Sequence, residues 1–128
     1  MLQFTLNWIA YGNPKQVFNA LTQVDAIEKW SGQKAVFDTK LNTYQWFDWV
    51  SGTIEIYEPN THLQLSWKPK TWGKKMQPAI VNLLFKPHEA GTLISLTHSN
   101  LPNDEELNNS KNGWIDMVFD PLNDYLIG

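Results

Sequence analysis

The stretch GTLISLTHSNLP, Gly91–Pro102, reads as a β-strand that stops in a turn. Successive side chains of a strand point to opposite faces, so Leu93, Ser95 and Thr97 share one side and Ile94, Leu96 and His98 the other. The second face is apolar except for an imidazole. A buried polar group without a partner costs about 1–3 kcal/mol. Either His98 is satisfied by a neighbour inside a core, or that face lines something other than solid core.

Working upstream, the same kind of segment recurs. KAVFD, TYQWFDWV, GTIEIYE, HLQLSWK and AIVNLLFK are short and rich in aromatic or β-branched residues, and turn residues such as Leu41-Asn42, Ser51-Gly52, Pro59-Asn60 and Ala90-Gly91 separate them. Six consecutive strands with short connections form an antiparallel meander. By alternation Leu63, Leu65 and Trp67 share a face, as do Val81, Leu83 and Phe85, and as do Tyr44, Trp46 and Asp48. The longest connection, PKTWGKKMQP, is bounded by prolines and projects as a loop.

The flanks are helical apart from a first strand, LQFTLNWIA, in which Phe4, Leu6 and Trp8 alternate with Gln3, Thr5 and Asn7. Asn13, Pro14 and Gln16 form a capping-box signature opening a helix that buries Val17, Phe18 and Leu21. Asp25 with Glu28 marks a second box and a short helix presenting Ile27 and Trp30, which Ser31-Gly32 ends. Downstream of Asn103, a step of about 100° per residue gathers Trp114, Ile115, Val118, Phe119, Leu122, Tyr125 and Leu126 on one arc, with Asp116, Asp120, Asn123 and Asp124 opposite. Pro121 lies within this helix, where it predicts a kink or a break into two pieces. The expectation is one domain over residues 1–128, of order β-α-α-β6-α.

That order resembles the helix-grip α+β fold of the START and birch-pollen-allergen (SRPBCC) superfamily, an antiparallel sheet wrapped around a long C-terminal helix. Three segments are similar to its AHSA-like branch, named for the activator of the heat-shock-protein-90 ATPase. They are NPKQVFNALTQVDAIEKWSG, WVSGTIEIYEPNTHLQLSWKP with Gly52, Pro59 and Trp67, and FKPHEAGTLISLTHSNLP followed by Asn112-Gly113-Trp114. The resemblance spans nearly the whole chain. It implies a pocket between sheet and terminal helix, with His98 near its rim. Trp46, Leu65, Trp67, Val81, Leu83, Phe85, Ile94, Leu96, His98, Trp114, Met117 and Val118 are then the candidate ligand-binding residues. Alternation alone does not distinguish such a pocket from filled core.

Composition narrows the chemistry. The 128 residues are 42% hydrophobic and 18% charged, with a formal charge of −3 and no cysteine, which excludes disulfides, thiolate metal sites and cysteine nucleophiles. Arginine is also absent, which argues against a nucleic-acid partner, because the guanidinium supplies the bidentate guanine and phosphate contacts. The N-terminus has neither a basic n-region nor a long apolar run, so no signal peptide, no transmembrane span and a cytoplasmic location are expected. No GxGxxG, phosphate loop, GxSxG or HExxH occurs, and no catalytic residue, metal or cofactor is assigned. Seven Trp are the outlier and suit an aromatic-lined pocket.

The expected function is therefore the binding of a small apolar organic molecule by a monomer or weak dimer. His98 either orients a carbonyl or hydroxyl of the ligand or hydrogen-bonds a neighbouring Trp, Ser or backbone carbonyl. The family name adds a chaperone as an alternative partner, and a cyclase or hydrolase is the third possibility. His62 and His88 are expected to be exposed, and Asp48 to be either a pocket anchor or solvated. Trp72, among Lys68, Lys70, Lys74 and Lys75, either docks on an anionic surface or folds back onto the sheet.

Overall fold

The computed structural model describes residues 1–128 and contains the expected elements in the expected order. Strand β1 (Leu2–Ala10) leads into helices α1 (Pro14–Thr22) and α2 (Val24–Ser31). Strands β2 (Val36–Asp38), β3 (Thr43–Trp46), β4 (Val50–Glu58), β5 (His62–Pro69), β6 (Ala79–His88) and β7 (Gly91–Leu101) follow. The C-terminal run is α3 (Asp104–Gly113), a π-helical segment (Trp114–Phe119) and α4 (Asp120–Ile127). The sheet is antiparallel with order β1-β7-β6-β5-β4-β3-β2, so the first strand pairs with the last and β1 and β2 are its edges. The C-terminal run packs on β1 and β7, and α2 packs on α4, which is the helix-grip α+β arrangement.

The capping box at α1 forms in both directions: Asn13 Oδ1 accepts from the Gln16 N–H and Gln16 Oε1 accepts from the Asn13 N–H, each at 2.9 Å. The second expected box does not form. Gln23 ends α1 and starts α2 at once, so no free residue remains to cap, and Asp25 falls inside the first turn where the helix dipole favours its charge. Glu28 instead accepts the backbone N–H of Ala35 at 3.1 Å and ties α2 to the approach to β2.

TYQWFDWV is not one strand. Phe47 and Asp48 adopt left-handed backbone angles, φ 58 and 64, and the chain reverses so that Trp46 pairs with Val50. A non-glycine left-handed residue costs roughly 1–2 kcal/mol, which the burial of Phe47 against Trp30, Trp46 and Trp49 offsets. The expected turn at Ser51-Gly52 therefore lies inside β4. Asp48 leaves the face shared by Tyr44 and Trp46. Exposed in the turn, it accepts from Gln45 Nε2 at 3.1 Å and pairs with Lys70 at 3.7 Å.

Pro121 is accommodated by widening the helix just ahead of it. The Asp120 N–H reaches back five residues to the Ile115 carbonyl, the π-helical pattern, instead of four. One extra residue in the turn rotates everything beyond it by roughly 100° relative to a regular helix. Two expectations fail for this reason. Asn123, expected among the solvated aspartates, turns inward and is 8% exposed, whereas Tyr125, expected on the apolar arc, is 38% exposed. Asn123 then closes the end of β1, accepting from the Tyr11 N–H at 2.9 Å and donating to the Ile9 carbonyl at 3.0 Å.

In the β5–β6 loop, Trp72 is buried as part of the core, so it does not project among the lysines; Lys68 Nζ donates to the Lys74 carbonyl at 3.2 Å.

Candidate functional site

At one end of the sheet β5, β6 and β7 bring Trp67, Ala79, Val81 and His98 side by side, through the pairs Trp67 with Ala79 and Val81 with His98. The π-helical segment lays Trp114 over them. Here the helix and the sheet part, leaving a cavity of about 250 Å³. Its floor is Trp67, His98 and Trp114. Met117 and Val118 border it from the π-helical segment, Glu106, Asn109, Ser110 and Gly113 from α3, Phe47 and Trp49 from the β3–β4 turn, Pro69 from the end of β5 and Thr71 from the loop after it.

Five of the candidate residues thus meet at the cavity: Trp67, His98, Trp114, Met117 and Val118. Trp46, Leu65, Val81, Leu83, Phe85, Ile94 and Leu96 do not border it and lie in the packed core, none more than 4% exposed. The expected deep pocket is filled in that region by aromatic side chains from other elements. Phe18 of α1 meets Phe85 edge-on with ring centroids 5.5 Å apart, and Trp46 packs against Trp30, Tyr44, Phe47, Trp67 and Trp114.

The residues that pattern reading missed come from three places, one of them the end of β5 and the loop after it, where Pro69 and Thr71 lie past the alternating run. Phe47 and Trp49 belong to the left-handed turn, which alternation does not reveal. Glu106, Asn109, Ser110 and Gly113 lie at helical spacing behind Met117, a row that stepping back three or four residues at a time would have found.

His98 is fully buried rather than near the rim, and its ring neighbours are Phe4, Trp67 and Trp114 at 5.4, 5.7 and 6.3 Å between centroids. The Trp114 indole N–H donates to His98 Nδ1 at 3.0 Å. An indole nitrogen only donates, so Nδ1 presents a lone pair and the neutral ring carries its hydrogen on Nε2. Nε2 has no hydrogen-bond partner within the protein. Burial lowers the His98 pKa from 6.5 to about 3, because the charged form has no solvent. Tyr44, whose hydroxyl donates to the Ser66 carbonyl, is raised well above the usual phenol value by burial and by the Glu55 carboxylate.

A folded-state pKa below the unfolded one means that the unfolded chain takes up a proton near pH 6 that the folded chain refuses. His98 therefore favours the native state least in acid, and its contribution falls as the pH drops below 6.5 toward 3. At about 1.36 kcal/mol per pH unit, urea denaturation should show a loss of about 2 kcal/mol between pH 7 and pH 5. An unchanged midpoint over that interval would show that His98 is not held neutral by burial.

No three His, Asp or Glu side chains converge as metal ligands, and no helix is long and apolar enough to cross a membrane.

Comparisons with known proteins agree with this architecture. No curated protein matches the sequence. Among solved structures, an HSP90 activator from Plasmodium falciparum, PFC0360w, is 26% identical with a TM-score of 0.86, covering 98% of this chain and 96% of that one. Protein MLL2253 from Mesorhizobium loti is 20% identical with a TM-score of 0.82 over 98% of this chain and 97% of that one. The Aha1 dimer from Colwellia psychrerythraea shares the fold at 14% identity, with a TM-score of 0.75 over 100% and 98% of the two chains. The family model described as Activator of Hsp90 ATPase homolog 1-like protein matches residues 12–126, from the residue before the α1 cap to α4, and the chain belongs to that family.

Proposed function

We propose that residues 1–128 act as one binding domain whose cavity takes a small, largely apolar organic molecule between Trp67 and Trp114. The supporting observation is a cavity floored by two indoles and a buried imidazole, at the point where the helical run parts from the sheet. Its volume of about 250 Å³ is below the roughly 300–1,000 Å³ of sites for drug-sized ligands, so the guest is a compound of one or two rings. Apolar walls supply affinity by removing the guest's surface from water.

The test is a titration with simple aromatic compounds, followed through the indole N–H resonances of the protein. Trp67 and Trp114 should shift. Trp30, whose N–H is bonded to the Ala20 carbonyl at 2.7 Å away from the cavity, should not. Uniform or absent shifts across a panel of one- and two-ring compounds would reject the proposal.

A second reading, modulation of a chaperone ATPase, is supported by the family description and by the 26% identity with the Plasmodium HSP90 activator over nearly both full lengths. An unchanged ATPase rate of a purified Hsp90 chaperone on adding this protein would dismiss it. Either role would be exercised in the cytoplasm, where a chain without cysteine needs no oxidising compartment.

A further inference from the structure

Gly113 borders the cavity with nothing but backbone. Glu106, Asn109, Ser110, Gly113 and Met117 recur at steps of three and four residues, so they form one face of the helical run, and that face is the cavity wall. The row carries a side chain at every position except 113. Glycine weakens a helix relative to alanine, and it is ordinarily explained by a left-handed backbone or by a neighbour too close for a Cβ. Neither holds here. Gly113 has ordinary helical angles, φ −61 and ψ −41, and α3 passes through it without a break into the π-helical segment. A Cβ built on Gly113 meets nothing within 4 Å beyond its chain neighbours and its own helix backbone. Because the row faces the cavity, the open space before the missing side chain belongs to it.

From this geometry we infer that Gly113 sets the size of guest that the cavity takes, and that the guest carries two fused rings, the second lying against the bare Gly113 backbone. This rests on the cavity being a binding site and adds the size class of the ligand and the residue that selects it. An apolar cavity of roughly 150 Å³ holds one benzene ring, whereas this one is about 250 Å³. A single ring therefore leaves part of it unfilled, and the lining of unfilled apolar space forfeits its contacts. A larger side chain at 113 takes that space from the guest.

Phenol and 2-naphthol carry the same hydroxyl and differ by one fused ring. Followed through the Trp67 and Trp114 indole N–H resonances, 2-naphthol should bind the wild-type protein more tightly than phenol. In Gly113→Leu this preference, measured as a ratio of dissociation constants, should fall about tenfold or more, because the second ring adds four carbons and about two buried carbons are worth a factor of ten. Gly113→Ala should lower the preference by a smaller factor while its urea-denaturation midpoint rises, since alanine is the better helix former and its methyl group meets nothing. Damage to the fold does not combine weaker binding with higher stability. If Gly113→Leu does not fold, Gly113→Ala decides alone. No preference in the wild type would overturn the inference, as would an unchanged preference in the variants, equal weakening of both compounds, or a lower midpoint for Gly113→Ala; in each case the cavity remains an apolar binding site. Failure of both compounds to shift the two indoles of the wild type would remove the inference and the binding proposal together.

Discussion

Trp114→Ala should cost roughly 3–5 kcal/mol of stability, read as a lower midpoint in urea denaturation. The indole is 2% exposed, and it packs against Trp67 at 5.2 Å, Phe119 at 5.6 Å and Trp46 at 6.2 Å between centroids. Truncation leaves a cavity that surrounding aromatics cannot collapse into, and the cost of a large-to-small change grows with the volume left behind. It also strips His98 Nδ1 of its donor. Trp114→Phe separates the two effects, since it keeps most of the packing and loses the N–H, and should cost about 1–3 kcal/mol. Against a total stability of about 5–15 kcal/mol the alanine variant is expected to be marginal. A loss below 1 kcal/mol for alanine would mean that the indole is not part of the core.

Gly52→Ala should be the second severe change, at about 1–3 kcal/mol or more from overpacking. Gly52 pairs with Tyr44 on β3, and the Tyr44 hydroxyl reaches past it to the Ser66 carbonyl on β5. The Thr53 N–H bonds Ser66 Oγ at 2.7 Å, drawing β4 tight against β5. A Cβ built on Gly52 collides with the Ser66 backbone oxygen, and backbone in the middle of a sheet cannot move aside cheaply. Gly73→Ala is the control: a Cβ there meets nothing within 4 Å, and the substitution should leave the denaturation midpoint within experimental error. Equal midpoints for the two variants would show that close approach at Gly52 does not constrain the sheet.

The same glycine shows what a pattern of residues conveys and what it conceals. Ser51-Gly52 has turn composition, and the preceding TYQWFDWV alternates well enough to pass for one strand. The reversal comes four residues earlier, at two residues whose left-handed angles are tolerable only because Phe47 is held by Trp30, Trp46 and Trp49. Those rings arrive from α2, β3 and the turn itself. In the C-terminal run, the presence of Pro121 correctly signals distortion, but a π-type turn in place of a kink changes the phase, and the phase decides that Asn123 enters and Tyr125 leaves.

At the site, helical and strand periodicities are enough to put Trp67, His98, Trp114, Met117 and Val118 on surfaces that face one another, and all five reach the cavity. The same argument applied to Leu65, Val81, Leu83, Phe85, Ile94 and Leu96 assigns the correct face and says nothing of whether the space before it is filled.

Element order, the faces of β1, β5, β6 and β7, the Asn13 capping box and the apolar side of the terminal run as far as Phe119 were determined by the sequence itself, because each depends on residues within a few positions of one another. The tertiary structure alone decided how much room is left between sheet and helix, and that His98 meets Trp114 across sixteen residues of chain. Volume and pairing are sums over side chains from distant segments, and a periodicity, which reports only the direction in which each side chain points, carries neither.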